Sequence, residues 1–210
     1  VMVKIVKFII RGEDKKNSDG FVAKYLDDKA MSQPAAAIYM AAKEISRLSV
    51  HAGKMIGAMK NAIEKRNITD IRDKYVDEHD KVKELQNIIV DFITKLISSG
   101  NLTEKQAEQA AGLMVVSNNI ERIADRCDEV DGLYKKILDN GQLLSDAAIA
   151  DLTACMDMTE KLFGESMNAI ITGDSETPDK VAADKKKIRK LQRQAGKAHL
   201  ARVKKNTCVR

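Results

Sequence analysis

Along most of this chain apolar and small residues return at alternating steps of three and four, the period of one helix face. The longest such line is Leu113, Ser117, Ile120, Ala124, Cys127, Asp131, Tyr134 and Leu138. A second is Ala41, Glu44, Leu48, Ala52, Met55, Met59 and Ala62. A third is Ile71, Tyr75, Glu78, Val82, Leu85, Ile89, Phe92 and Leu96. Two carboxylates, Glu44 and Glu78, fall on otherwise apolar lines. A buried carboxylate needs a partner. For Glu44, Arg47 or an arginine of another helix supplies one, and a metal or anion is the alternative.

The lines and their punctuation predict five long helices. The first runs from about Pro34 to Arg66, with proline suited to the first turn and Ser32 offering a cap. Asn67 to Asp70 form a turn, and the second helix runs from about Thr69 to Ser98. The third opens with the capping-box pair Thr103 and Gln106 and reaches about Asn140, where Asn140-Gly141 stops it. Ser145 caps a fourth, about 145–172, whose apolar positions include Ala148, Leu152, Cys155, Met156, Leu162, Phe163, Ala169 and Ile170. After a turn from Gly173 to Pro178, the fifth runs from about 177 to 205, with Val181, Ile188, Leu191, Ala195 and Ala198 on one side. Long helices joined by turns of a few residues fold back antiparallel, so the expectation is an all-α, up-down bundle. The first helix has a weak echo in the fourth and the second in the fifth, while nothing echoes the third. The chain therefore divides into a leading segment 1–33, a three-helix unit 34–141 and a two-helix unit 142–210.

The ends add detail. Residues 1–10, VMVKIVKFII, are too short to span a bilayer, which needs about 20 apolar residues. They fit the tail of a membrane helix, a small strand or an amphipathic helix, and the polar residues 11–20 read as a loop. The start at Val1 and the stop at Arg210 directly after a helical pattern suggest a fragment. Charge is uneven: residues 180–210 hold twelve Lys or Arg and one acidic residue, Asp184, which is +11, so a net +5 leaves −6 elsewhere. Such an end seeks an anionic partner, or pairs with the acidic helices of the same molecule.

Other chemistry is sparse. Cys127, Cys155 and Cys208 are far apart with no CxxC pair, which suggests buried, reduced thiols rather than a zinc site or disulfides. His51, His79 and His199 lie on three separate helices, and no nucleophile elbow, glycine-rich phosphate loop or HExxH occurs. An enzyme is not expected. Beside the long seam, Glu121, Asp125 and Asp128 stack on one flank of the third helix. Their repulsion calls for an offset from a cation, from Arg122 or Arg126, from a neighbouring helix or from water.

Ile120-Glu121-Arg122-Ile123-Ala124-Asp125 resembles the signature of the PhoU family, an E-x-x-x-D motif on a long helix. Tyr25-Leu26-Asp27-Asp28, Pro34-Ala35-Ala36-Ala37 and Lys43-Glu44-Ile45-Ser46-Arg47-Leu48 resemble the junction between the membrane part and the PhoU-like tail of bacterial sodium-dependent phosphate cotransporters. His199-Leu200-Ala201-Arg202-Val203-Lys204-Lys205 resembles the end of that tail's fifth helix. The resemblance implies tandem three-helix bundles with the last helix of the second repeat missing here. It implies regulation of phosphate transport, not catalysis, at the cytoplasmic face of the bacterial inner membrane. The partners implied are the transmembrane transporter part of the same polypeptide and a second copy in a homodimer.

A stand-alone phosphate-signalling regulator is the neighbouring alternative. A basic helical nucleic-acid-binding module is the alternative of another class, and no nucleic acid is expected because the basic end lacks aromatic residues for stacking. PhoU proteins hold iron or zinc clusters on paired acidic motifs, and the ligand pair carried over is Glu121 and Asp125. Two ligands are too few for tight binding, so Asp128, a neighbouring helix, water or phosphate would complete a metal site. The motif positions on helices two and five carry His79 with Lys83, and Lys185 with Arg189. Charged lysine and arginine cannot ligate a metal, so ion pairs of Glu121 and Asp125 with Arg47, Arg122 or a basic helix compete with that site.

Overall fold

A computed structural model describes residues 22–67, 72–172 and 177–205. Five α-helices account for most of them: α1 Pro34–Lys65, α2 Arg72–Ser98, α3 Glu104–Asp139, α4 Asp146–Thr172 and α5 Thr177–Lys204. No strand occurs among the described residues. The apolar run 1–10, the loop 11–20, the stripe position Ile71, the side chain of Val181 and Cys208 lie outside them.

Local chemistry explains where the helices begin and end. At α3 the Thr103 hydroxyl accepts from the Gln106 amide at 3.3 Å, and the Gln106 side chain accepts from the Thr103 amide at 2.9 Å. Both orphan donors of that first turn are thus satisfied. The α1 cap differs from the expectation. Gln33, not Ser32, is the N-cap and bonds nothing with its side chain, because Asp28–Ser32 is itself a 3-10 turn in which the Ser32 hydroxyl donates to the Lys29 carbonyl. Pro34 at the first helical position needs no donor satisfied there. At the other end Arg66 takes a left-handed φ of 55°, so that the Asn67 amide can return to the Ala62 carbonyl at 3.2 Å.

The core lies between α1, α2 and α3, each of which packs on the other two. Leu48, Leu85 and Ile120 have no exposed surface, and Ala52, Met55, Ile89, Leu96 and Ala124 fill the seam around them. Burying each large aliphatic side chain contributes about 1.5–3 kcal/mol, which is why the three lines of the sequence converge.

Helix α4 lies along a different side of α1. The ring of Phe163 packs over Gly53, where an added Cβ would sit 3.6 Å from it. Ion pairs from Lys60 to Asp157 and Glu160, and from Arg66 to Asp146, fasten the same seam. Helix α4 is covered by α1 and by α5, and on its remaining surface the apolar positions Leu152 and Ile170 are exposed. Helix α5 returns along α4 and, among the described residues, packs on no other helix. Its covered line is Ile188, Leu191, Ala195 and Ala198, all half-buried, and the buried Asp184. Asp184 receives Lys187 at 2.6 Å and Lys161 of α4 at 3.1 Å. Arg202 pairs with Asp151 of α4 at 2.8 Å, so among the described residues the basic helix pairs with the acidic helix α4 and packs on none of the three core helices.

Candidate functional site

Two ionisable side chains of α1, Glu44 and His51, are buried. Glu44 has no exposed surface. Its carboxylate accepts from the Arg47 guanidinium at 2.5 Å and from the backbone amides of Lys24 and Tyr25 at 3.0 and 2.7 Å. Arg47 also donates to the Val22 carbonyl at 3.0 Å. The arginine partner read from the sequence is present. The two backbone donors were not legible, because they arrive from residues about twenty positions earlier. Lys43 adds its ammonium 5.2 Å from the Tyr25 ring centre. The segment before α1 is thus strapped to the bundle by charge-assisted hydrogen bonds in a water-poor place, where such bonds are strong.

About two helical turns further along α1, Glu78 of α2 reaches His51 Nδ1 at 2.5 Å and Lys54 at 3.0 Å, both on α1. Partial burial opposes its ionisation, but His51 and Lys54 outweigh that and hold the carboxyl below its ordinary range.

The acidic flank of α3 faces α2. Asp125 pairs with His79 Nε2 at 3.0 Å and stands 3.5 Å from the Lys83 ammonium. Asp125, the second acid of the pair, thus finds its partners on α2. Glu121, one turn before, is pushed up by desolvation first and then by the neighbouring Asp125. Burial works against Asp125 as well, but the His79 hydrogen bond and Lys83 keep it low. Asp128 is exposed, while Arg126 turns to Glu129 at 2.5 Å.

This arrangement does not fit iron or zinc. Lys83 brings a fixed positive charge to Asp125, which a bound cation would have to face at close range. Among the described residues no three His, Cys, Asp or Glu side chains come together as a metal-holding group. The thiols are equally quiet: burial pushes Cys127 up to about 11, and Cys155 is also raised.

The site's elements, from mid-α1 through α2 to the Asp125 turn of α3, coincide with a known family. Residues 45–130 match the family model of the PhoU domain. The chain carries a PhoU-like domain there. A PhoU domain is a regulatory unit and points to the control of phosphate transport. No curated protein and no solved structure matches the chain. The PhoU-like match opens inside α1 and closes inside α3, so it covers the Glu78 and Asp125 pairs and starts one residue after Glu44. Among the described residues no helix is long and apolar enough to cross a membrane.

Proposed function

We propose that this PhoU-like bundle is the cytosolic regulatory domain of a sodium/phosphate symporter, working on the transporter part of the same polypeptide. The family match supports phosphate regulation. The observation that favours a tethered domain over a free-standing regulator is the strap at Glu44. It holds residues 22–25, part of the stretch that resembles the cotransporter junction, against the first core helix. A regulatory domain acts on a tethered partner only if movement of one displaces the other, and a buried, charge-assisted link transmits displacement where a solvated linker absorbs it. The segment 142–210 belongs to this reading as a partial second repeat, two antiparallel helices docked through α4 on α1.

Labelled-phosphate uptake tests the reading in cells whose own phosphate uptake is disabled. They would express the complete reading frame that contains this chain, with and without residues 34–210. Sodium-dependent uptake whose response to phosphate supply changes on deletion is the expected result. Absence of sodium-dependent uptake in both arms would overturn it, and rescue by the bundle supplied as a separate chain would favour the free-standing regulator.

A further inference from the structure

Helix α5 is covered along one narrow line, and its opposite side carries a row of cations. At about 100° per residue, Lys186, Lys190, Arg193, Lys197 and Lys204 fall within one strip directly opposite Ile188, Leu191, Ala195 and Ala198. All five are exposed, and none has an ion-pair partner among the described residues. From Ala182 to Lys204 the one acidic residue is Asp184, and it is turned into the α4 seam. The strip is about 27 Å long at ~1.5 Å per residue. Residues 180–210 carry +11 and the remainder of the chain −6, so the charge of this end is opposite in sign to that of the rest.

We infer that this strip of α5 is a docking face for the headgroup surface of an anionic lipid bilayer. A straight row of cations on the outermost helix matches a flat, diffuse negative surface, which asks for charge and reach but for no shaped pocket. Four of the five are lysines, compact charges on flexible stems that search a field of headgroups without fixed geometry. The acidic remainder is repelled from the same surface, which turns the domain α5-first toward it. A nucleic-acid strand fits less well, because the described part of α5 has no Phe, Tyr or Trp on which a base could stack. The inference does not depend on the transporter reading, because a free-standing regulator would present the same helix.

The test is co-sedimentation of the whole chain with vesicles of phosphatidylcholine alone and of phosphatidylcholine with about one third phosphatidylserine, at low and at high salt. The wild type should bind only the anionic vesicles and be released by salt. A Lys186→Gln, Lys190→Gln, Arg193→Gln and Lys197→Gln variant should lose about a hundredfold or more in partitioning. Lys→Arg exchanges at positions 186, 190 and 197 should retain it, and circular dichroism should show equal helicity throughout. Equal binding to neutral vesicles, or undiminished binding by the glutamine variant, would overturn the inference. So would binding of a DNA duplex in preference to vesicles at the same salt, or salt-sensitive self-association that uses up the strip.

Discussion

Glu44 is a carboxylate with no exposed surface, held by three donors from two places in the chain. Removing its charge leaves the Arg47 guanidinium and two amides poorly matched, and breaking a buried pair in this way costs about 3–5 kcal/mol. Glu44→Gln is therefore expected to lower stability by that order in denaturant unfolding. Hydrogen exchange should speed up at the Lys24 and Tyr25 amides more than in mid-α2. The Asp125 and Glu121 pair predicts opposite pH effects. Asp125 is lowered in the native state, so its contribution is present above the ordinary carboxylate range and is lost as pH falls through the native value. Asp125→Asn should cost about 0.5–1 kcal/mol near neutrality, since the pair is partly solvated, and nothing at acid pH. Glu121 is raised, so its protonated form favours folding at low pH, and that advantage is lost as pH rises through the native value. Glu121→Gln should stabilise by a few tenths of a kcal/mol near neutrality and lose that gain in acid. Thermal melts of both variants across pH check the two signs together.

Among the helices, α1 is covered on more sides than any other, by α2 and α3 on one flank and by α4 on another. That explains why its small residues matter as much as its large ones. Gly53 lies under the Phe163 ring, and a methyl there would make ordinary van der Waals contact. Gly53→Ala should stabilise α1 by up to about 1 kcal/mol through helix propensity, whereas Gly53→Leu should detach α4. Near-ultraviolet signals and limited proteolysis within 146–172 distinguish the outcomes. On the other flank Leu85 is fully buried between α1 and α3. Leu85→Ala should cost about 2–5 kcal/mol in chemical unfolding, against a far smaller loss at the exposed Leu200.

At the scale of the whole molecule, packing predicts uneven stability. The three-helix core encloses fully buried Leu, Ile and Met side chains, while α5, among the described residues, touches only α4, along mostly half-buried positions. Local opening follows buried contact. Amides of α5 should therefore exchange well before those of α1 to α3, with α4 between them. Uniform protection across all five helices would contradict this order. Anionic vesicles should slow exchange in α5 first if the cationic strip docks as inferred.

Much of this was legible in the order of residues alone. Three lines of small and apolar side chains at helical spacing specify which faces of α1, α2 and α3 must leave water, and the described positions on them are buried or half-buried. The capping box at Thr103 and the stop at Asn140 are local chemistry, so their places could be read without a fold. Glu44 with Arg47 was readable as well, being one turn apart on one helix. Tertiary structure alone decided the rest, because it depends on segments distant in sequence. It brought residues 22–25 onto Glu44, His51 onto Glu78, and His79 with Lys83 onto Asp125. It also set α4 on the Gly53 side of α1 and, among the described residues, left α5 with α4 as its one neighbouring helix. Periodicity fixes the face that a helix buries, but which helix covers that face, and which charge meets which, depends on packing between surfaces that the local pattern does not rank.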